Sequence, residues 1–320
     1  MSRRFTAACV QFTAGPVPER NLSGVSDLIR RARDGGADLI MTPEATNFIE
    51  SGKRRREKAR RETDDPFLAG MRAVAQETGA WLLIGSLVID PGGESGAAAG
   101  EARLANRSFL LDPGGAIIAR YDKIHMFDID LPGGESYRES NAYRPGNRAV
   151  VADTPWGRLG MTVCYDVRFP HLYRALAQAG ADFLAVPSVF TVLTGSAHWH
   201  VLLRARAVEN GCFVFAPAQW GEHTAGRRSY GHSLIVDPWG EILADAGEGV
   251  GIITARIEAA RIAEVRRMVP SLQHDRAFTQ PELASRPLAA EEHRVRCPRR
   301  SPPSSLRRRS RRVLGQPHPR

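Results

Sequence analysis

The chain has 320 residues, 42% hydrophobic and 25% charged, the balance of a globular protein with room for one large domain or two ordinary ones. No apolar run approaches the roughly 20 residues of a membrane-spanning helix, and the apolar stretch behind Met1-Ser-Arg-Arg breaks at Gln11, which argues against a signal peptide. The net charge of +9 invites a nucleic-acid reading, but residues 286–320 hold 11 Arg, no Lys and 2 Glu, so the excess lies there and the first 285 residues are balanced.

That arrangement divides the chain into a folded part, residues 1–283, and an Arg/Pro/Ser-rich tail, 284–320. The tail lacks a hydrophobic period and is expected to be disordered or an out-of-frame extension. Nucleic acid is expected, if at all, only through the tail. Cysteines at 9, 164, 212 and 297 show neither metal spacing nor a disulfide framework, which fits a reduced cytoplasm. Only three lysines, at 53, 58 and 123, stand against 41 arginines. Lys53 and Lys58 belong to a solvated basic run, whereas Lys123 stands apart. In so Arg-biased a chain, an isolated Lys suggests a site that needs a compact ammonium.

In chain order, Phe5–Phe12 reads as a strand. Asn21 caps a helix with apolar positions Leu22, Val25, Leu28, Ile29 and Ala32, stopped by Gly35-Gly36. Asp38–Met41 is a short buried strand that Pro43 ends, leaving Glu44 at its C-terminal end, where α/β sheets build their sites. The run 53–61 is an exposed loop or helix. Asp65-Pro66 starts a helix that ends at Gly79, and Trp81–Ile89 is a buried strand. A hairpin loop is expected at 92–101, then a strand–turn–strand unit around Asp112-Pro-Gly-Gly115. Residues 128–147, rich in Asp, Gly, Pro and Ser, read as a long functional loop holding Glu135 and Glu139.

The apolar run from Leu159 ends at Cys164, and Pro170 opens a helix reaching about Ala179. A cysteine on that turn suits a thiolate nucleophile, because a helix N-terminus favours negative charge; a buried packing cysteine is the alternative. Residues 181–187 are a strand. Ser196 caps a helix closed by Gly211, and strands follow at 212–219, 233–237, 241–244 and 251–257.

Two internal echoes suggest duplication. Gly36-Ala-Asp-Leu-Ile-Met-Thr-Pro43 matches Gly180-Ala-Asp-Phe-Leu-Ala-Val-Pro187, and the Asp112-Pro-Gly-Gly turn matches Asp237-Pro-Trp-Gly. Two such halves would stack sheets face to face with helices outside, an α/β fold of four layers, α-β-β-α.

Glu44, Lys123 and Cys164 thus stand at or beyond strand ends. A carboxylate can take a thiol proton and an ammonium can hold an oxyanion, which together suffice for amide cleavage through a thioester. A Cys–His pairing with His125, His171, His198, His223 or His232 stays open on spacing alone. His198 and His200, two apart on a helix, face away from each other, so no metal is expected. Arg168 either holds a substrate carboxylate or pairs with an acid. Trp199 reads as core or pocket wall, and Asp122 and Asp166 as structural hydrogen-bonders.

Thr-Pro-Glu44, Tyr-Asp-Lys123-Ile-His-Met-Phe and Val-Cys164-Tyr-Asp-Val-Arg-Phe-Pro resemble the three catalytic blocks of the nitrilase superfamily of carbon–nitrogen hydrolases, over about residues 4–280. The long loop resembles the Nit branch, and residues 203–219 and 229–240 look most like the deaminated glutathione amidases. The resemblance implies Glu44 as general base, Cys164 as nucleophile, Lys123 with the Tyr165 N–H as oxyanion donors, and Glu139 orienting Lys123 or the substrate. Tyr165, Arg168 and Trp199 are the expected substrate-binding residues, no cofactor is expected, and the resemblance implies a homodimer. ω-Amidase activity on α-ketoglutaramate is the second substrate reading; a non-catalytic binding protein on this scaffold is the alternative of another class.

Overall fold

Alternation in the first strand separates its two faces. In Arg4–Gln11, Ala7 and Cys9 point one way and Ala8 and Val10 the other, and all four are fully buried. Cys9 shares a cluster with Met41, Phe183 and Phe215; Val10 shares one with Val25, Ile29 and Met71. A strand buried on both faces needs a covering layer on each; here the Cys9 side meets the other sheet and the Val10 side meets helices. The computed structural model, which describes residues 4–92, 103–132 and 134–279, has this architecture. Helices Pro18–Asp34 and Pro66–Thr78 cover the first sheet, and Pro170–Gln178 and Val192–Asn210 pack on the second. Between the sheets, Phe5 meets Phe183 at 5.4 Å and Phe215 at 6.4 Å. The expected α-β-β-α sandwich is the fold.

The duplication is one of topology. The first sheet runs Gly251–Glu258, Arg4–Gln11, Leu39–Met41, Trp81–Asp90, Ala105–Leu111, Ile117–Asp122, with Arg60–Arg61 added beside Trp81–Asp90. The second runs Val150–Thr154, Gly157–Met161, Phe183–Ala185, Phe213–Ala216, Leu234–Val236, Ile242–Asp245. Read in these directions, both sheets pair antiparallel, parallel, parallel, antiparallel, antiparallel. Each Asp-Pro-x-Gly turn joins the last two strands of its half.

Several boundaries differ from the sequence reading. The first helix starts at Pro18, a residue preorganised for a first helical turn. Asn21 lies inside it and ties Gly15 and Asn47 rather than capping. The helix Val192–Asn210 starts there, not after Ser196, because Thr191 accepts from the Thr194 N–H at 3.3 Å. Asp65 caps as expected, and Gly79 and Gly211 close their helices at φ +63° and +55°. The basic run forms the helix Gly52–Lys58 with no buried residue. The long loop contains a hairpin, Asp128–Asp130 with Ser136–Arg138. The strand Val150–Thr154, the hairpin of Trp220–Glu222 with Arg228–Tyr230, and the helix Ala260–Met268 had no counterpart in the reading. Apart from Gly92, the loop at 92–101 lies outside the described residues, as does the tail 284–320. No helix among the described residues is long and apolar enough to cross a membrane.

Candidate active site

Three strand ends converge. Pro43 stops the strand Leu39–Met41, and Ala45 turns the chain at φ +54°, a left-handed value that costs a non-glycine residue energy. The turn is held by Ser86, whose Oγ accepts from the Ala45 N–H at 2.8 Å, and by Gln219, whose Nε2 donates to the Glu44 carbonyl at 3.0 Å. Gly85 lets it pack: a Cβ there would fall 2.0 Å from the Thr42 carbonyl oxygen and 2.4 Å from that of Pro43.

Cys164 is held by a parallel device on the other half. Its φ is +50°, its N–H donates to Pro187 O at 2.9 Å, and the preceding Val163 N–H donates to Asp166 Oδ2 at 2.8 Å. The buried Asp166 also accepts from the Tyr121 hydroxyl at 2.7 Å and from the His125 N–H at 3.0 Å. It is therefore the structural hydrogen-bonder the sequence suggested. Between Cys164 and the helix at Pro170 lies a 3-10 turn, Cys164–Arg168. The helix N-terminus is thus not against the thiol. Lys123 follows the strand Ile117–Asp122, and its N–H donates to Asn106 O at 2.9 Å.

The side chains form one polar cluster. Lys123 Nζ lies 3.0 Å from Glu44 Oε1 and 3.0 and 2.8 Å from the two oxygens of Glu139. Asn106 Nδ2 donates to Glu44 Oε1 at 2.8 Å and to Glu139 Oε1 at 3.2 Å. Two main-chain donors complete it: Val189 N–H to Glu44 Oε2 at 2.8 Å, and Phe127 N–H to Glu139 Oε2 at 2.7 Å. The Val189 carbonyl lies 3.8 Å from Cys164 Sγ. Glu44, Lys123, Glu139 and Cys164 line one cavity of about 270 Å³. Asn106 and the Val189 peptide were missed in sequence. Nothing marks a peptide group, and Asn106 has no local partner to betray it.

Burial dominates the electrostatics. It pushes the Glu44 carboxyl up, but the Lys123 charge and hydrogen bonds from Lys123, Cys164 and Asn106 outweigh it and hold the group below its usual range. Burial disfavours the Lys123 ammonium, yet Glu139 and Glu44 keep it well above the ordinary lysine value. Burial, then the Glu44 charge, push the Cys164 thiol far up, with Lys123 opposing. The resting state is therefore thiol, carboxylate and ammonium. A helix N-terminus does not ionise the thiol at rest, and a resting thiol is what a general base at Glu44 requires.

The residues expected at the substrate are distributed differently. Trp199 is fully buried, packs on Phe190 and donates its indole N–H to His232 O at 2.7 Å, so it is core. Arg168 does not line the cavity. Its guanidinium lies over Tyr165 and Phe190 and meets His198 Nδ1 at 3.2 Å. The Tyr165 ring sits among Phe127 and Phe169, outside the lining. Its N–H belongs to the first turn after Cys164, where helical donors have no acceptor within the turn.

No histidine among the described residues lines the cavity, so the pairing of Cys164 with His125, His171, His198, His223 or His232 is overturned. His223, for one, is buried between Ala14 O and Ser229 Oγ. His198 and His200 diverge as expected. His200 pairs with Asp245 at 2.9 Å, which also meets His232 at 3.0 Å, an arrangement that hydrogen bonding accounts for. Asp122 forks onto Arg107, a structural pair.

This cluster on this fold defines a class. Residues 6–267 match the carbon–nitrogen hydrolase family model, and the chain belongs to that family. It is 40% identical over 270 residues to the deaminated glutathione amidase of Yersinia enterocolitica, covering 84% of this chain and 92% of that protein. Saccharomyces cerevisiae Nit3, a member of branch 10 of the nitrilase superfamily, superposes with a TM-score of 0.74 at 29% identity, over 84% of this chain and 96% of that one. A mutant amidase from Nesterenkonia sp. AN1, showing Michael addition of acrylamide at its active site cysteine, superposes with a TM-score of 0.69 at 28% identity, over 83% and 98%. The chain is thus a nitrilase-superfamily hydrolase that acts on amides.

Proposed function

We propose that the protein hydrolyses the amide of deaminated glutathione, N-(4-oxoglutaryl)-L-cysteinylglycine, to 2-oxoglutarate and Cys-Gly. The observation that carries the amidase chemistry is the buried Lys123 held between Glu44 and Glu139 beside Cys164. The name of the Yersinia relative supports the substrate. Glu44, already ionised, takes the Cys164 proton as Sγ attacks the amide carbon. Lysine has three N–H donors. At rest one contact to Glu44 and two to Glu139 engage all three, so Lys123 releases one of the Glu139 contacts to hold the oxyanion together with the Tyr165 N–H. Glu44 then passes its proton to the leaving amine and afterwards activates the water that opens the thioester. Glu139 and Asn106 position Lys123 and Glu44. The scheme uses no metal or cofactor.

Steady-state kinetics with deaminated glutathione and α-ketoglutaramate side by side test the assignment. A higher kcat/KM for deaminated glutathione is expected; the reverse order makes the protein an ω-amidase. We further propose that it works in a reduced cytoplasm, a reading supported by Cys9, Cys164 and Cys212 being free thiols. A homodimer is proposed on resemblance, supported by exposed Val201 and Val208 on the helix Val192–Asn210. Sedimentation tests it.

A further inference from the structure

We infer that a second cavity, on the far side of Arg227 from the nucleophile, receives the leaving half of the substrate and selects an amine that carries a carboxylate. This rests on the amidase reading above and adds to it the place and the charge of the leaving group. The cavity measures about 440 Å³ and shares Ser136, Tyr137 and Arg227 with the catalytic cavity, so these residues form the wall between the two.

Arg227 is the residue that points to a ligand. Its Nε is buried and has no hydrogen-bond partner. A buried guanidinium N–H without an acceptor is costly and calls for one. The rest of the group is loosely held: Nη2 lies 3.4 Å from Val189 O, and the guanidinium lies over the Tyr137 ring at 5.5 Å. No carboxylate among the described residues pairs with it. Nε and Nη2 are the two donors of the guanidinium's side-on fork, the geometry that grips a carboxylate at two points; Nε is covered in this conformation, so the side chain must turn toward the cavity to present both. Val189 O is also the atom that Cys164 Sγ faces, at 3.8 Å, so this fork stands beside the nucleophile.

The second cavity suits what lies beyond the scissile bond. Val192 and Leu193, 43% and 50% exposed, give it an apolar floor, Arg228 adds a second guanidinium on its exposed side, and the one acid of the lining, Glu135, accepts from the Tyr137 hydroxyl at 3.1 Å. Ammonia as leaving group would leave this space unused. A short peptide with a free C-terminal carboxylate would cover the apolar floor and bring its negative charge to the two arginines. The ligand class is therefore an N-acylated short peptide, and the recognised group is its terminal carboxylate.

The test compares deaminated glutathione with its C-terminal carboxamide, taking the ratio of kcat/KM within each enzyme. Wild type is expected to prefer the carboxylate by about tenfold or more, the scale of a lost charge-assisted bond. Arg227→Gln should bring the ratio close to one. Arg228→Gln, at an exposed position where folding is not at stake, should lower it in the same direction. Arg227→Lys, which keeps charge but loses the fork, should recover part of it. Turnover of both peptides by wild type with a ratio near one overturns this inference and leaves the amidase reading standing. So does a wild-type preference that survives in Arg227→Gln and Arg228→Gln. No turnover of either peptide by wild type overturns both readings.

Discussion

Lys123 and Glu139 form a two-point ion pair in the wall of the cavity, with Nζ 3.0 and 2.8 Å from the two carboxylate oxygens. The ammonium has negative charge on both flanks, because Glu44 holds it from the other side. Glu139→Gln removes one flank and leaves the volume almost unchanged. It should lower kcat about 10- to 100-fold, the usual effect of losing a supporting partner, with little change in KM. An unchanged kcat would make Glu139 a bystander.

Cys164→Ser keeps the shape of the turn and loses the nucleophile. Turnover should fall by about a thousandfold or more. Intact-mass measurement of quenched wild type should show the acyl adduct, and the variant should not. An adduct on the Ser variant at wild-type level would place the nucleophile elsewhere.

The ionisation pattern sets the pH response. Glu44 must be ionised and is held below its ordinary 4.5, so kcat/KM should fall only as the medium becomes more acid than that. Lys123 must be charged and is held above 10.5, so the alkaline loss should come only beyond that value. Between them the profile should be flat through neutrality. A limb near pH 6 to 7 would point to a histidine, and none of the described residues lining the cavity is one. The same signs govern stability. The Glu44 contribution is present above the unfolded carboxyl value and lost as pH falls through the folded one; that of Lys123 is present below 10.5 and lost as pH rises through the folded value.

His223 supplies a separate test on stability. Burial lowers its pKa from 6.5 to about 4, with Arg227 acting in the same direction and the Ala14 carbonyl opposing. Between those values the unfolded chain binds a proton the folded one refuses. Stability should therefore be complete above 6.5 and decline towards pH 4 by on the order of 3 kcal/mol. Urea midpoints at pH 7 and pH 5 should show a shallower decline for His223→Gln; an unaltered slope would assign the loss to other groups.

Gly85→Ala tests the turn beneath Glu44. The added methyl would meet two backbone carbonyls, which cannot swing aside like a side chain. A loss of about 3 kcal/mol is expected, with reduced kcat, against a smaller loss of about 1 kcal/mol and unchanged kcat at Gly36, where a Cβ meets nothing within 4 Å and only the left-handed backbone resists.

The sequence revealed what is written in local pattern. The four layers follow from the alternation in Arg4–Gln11 and the helical periods, and the two halves from the repeated Asp-Pro-x-Gly turns. Glu44, Lys123 and Cys164 were legible because each ends a strand pattern and because Lys123 is rare among arginines. What escaped was set by distance along the chain. Asn106 reaches Glu44 across 62 residues and Val189 reaches it across 145. For Trp199 the sequence left core and pocket wall open, because its burial depends on Phe190 and His232, which no helical period predicts. The orphan Nε of Arg227 belongs to a hairpin that left no period of its own.

The strand Gly251–Glu258 pairs along the whole of Arg4–Gln11, residue for residue. During synthesis, therefore, the first strand to leave the ribosome is among the last to be completed. Until some 250 residues have followed it, one long edge of a buried strand has no partner, and an open edge of that kind recruits other chains. The nascent protein must either fold late or be shielded, and a chain terminated shortly before Gly251 would carry all three catalytic strand ends yet be prone to aggregation.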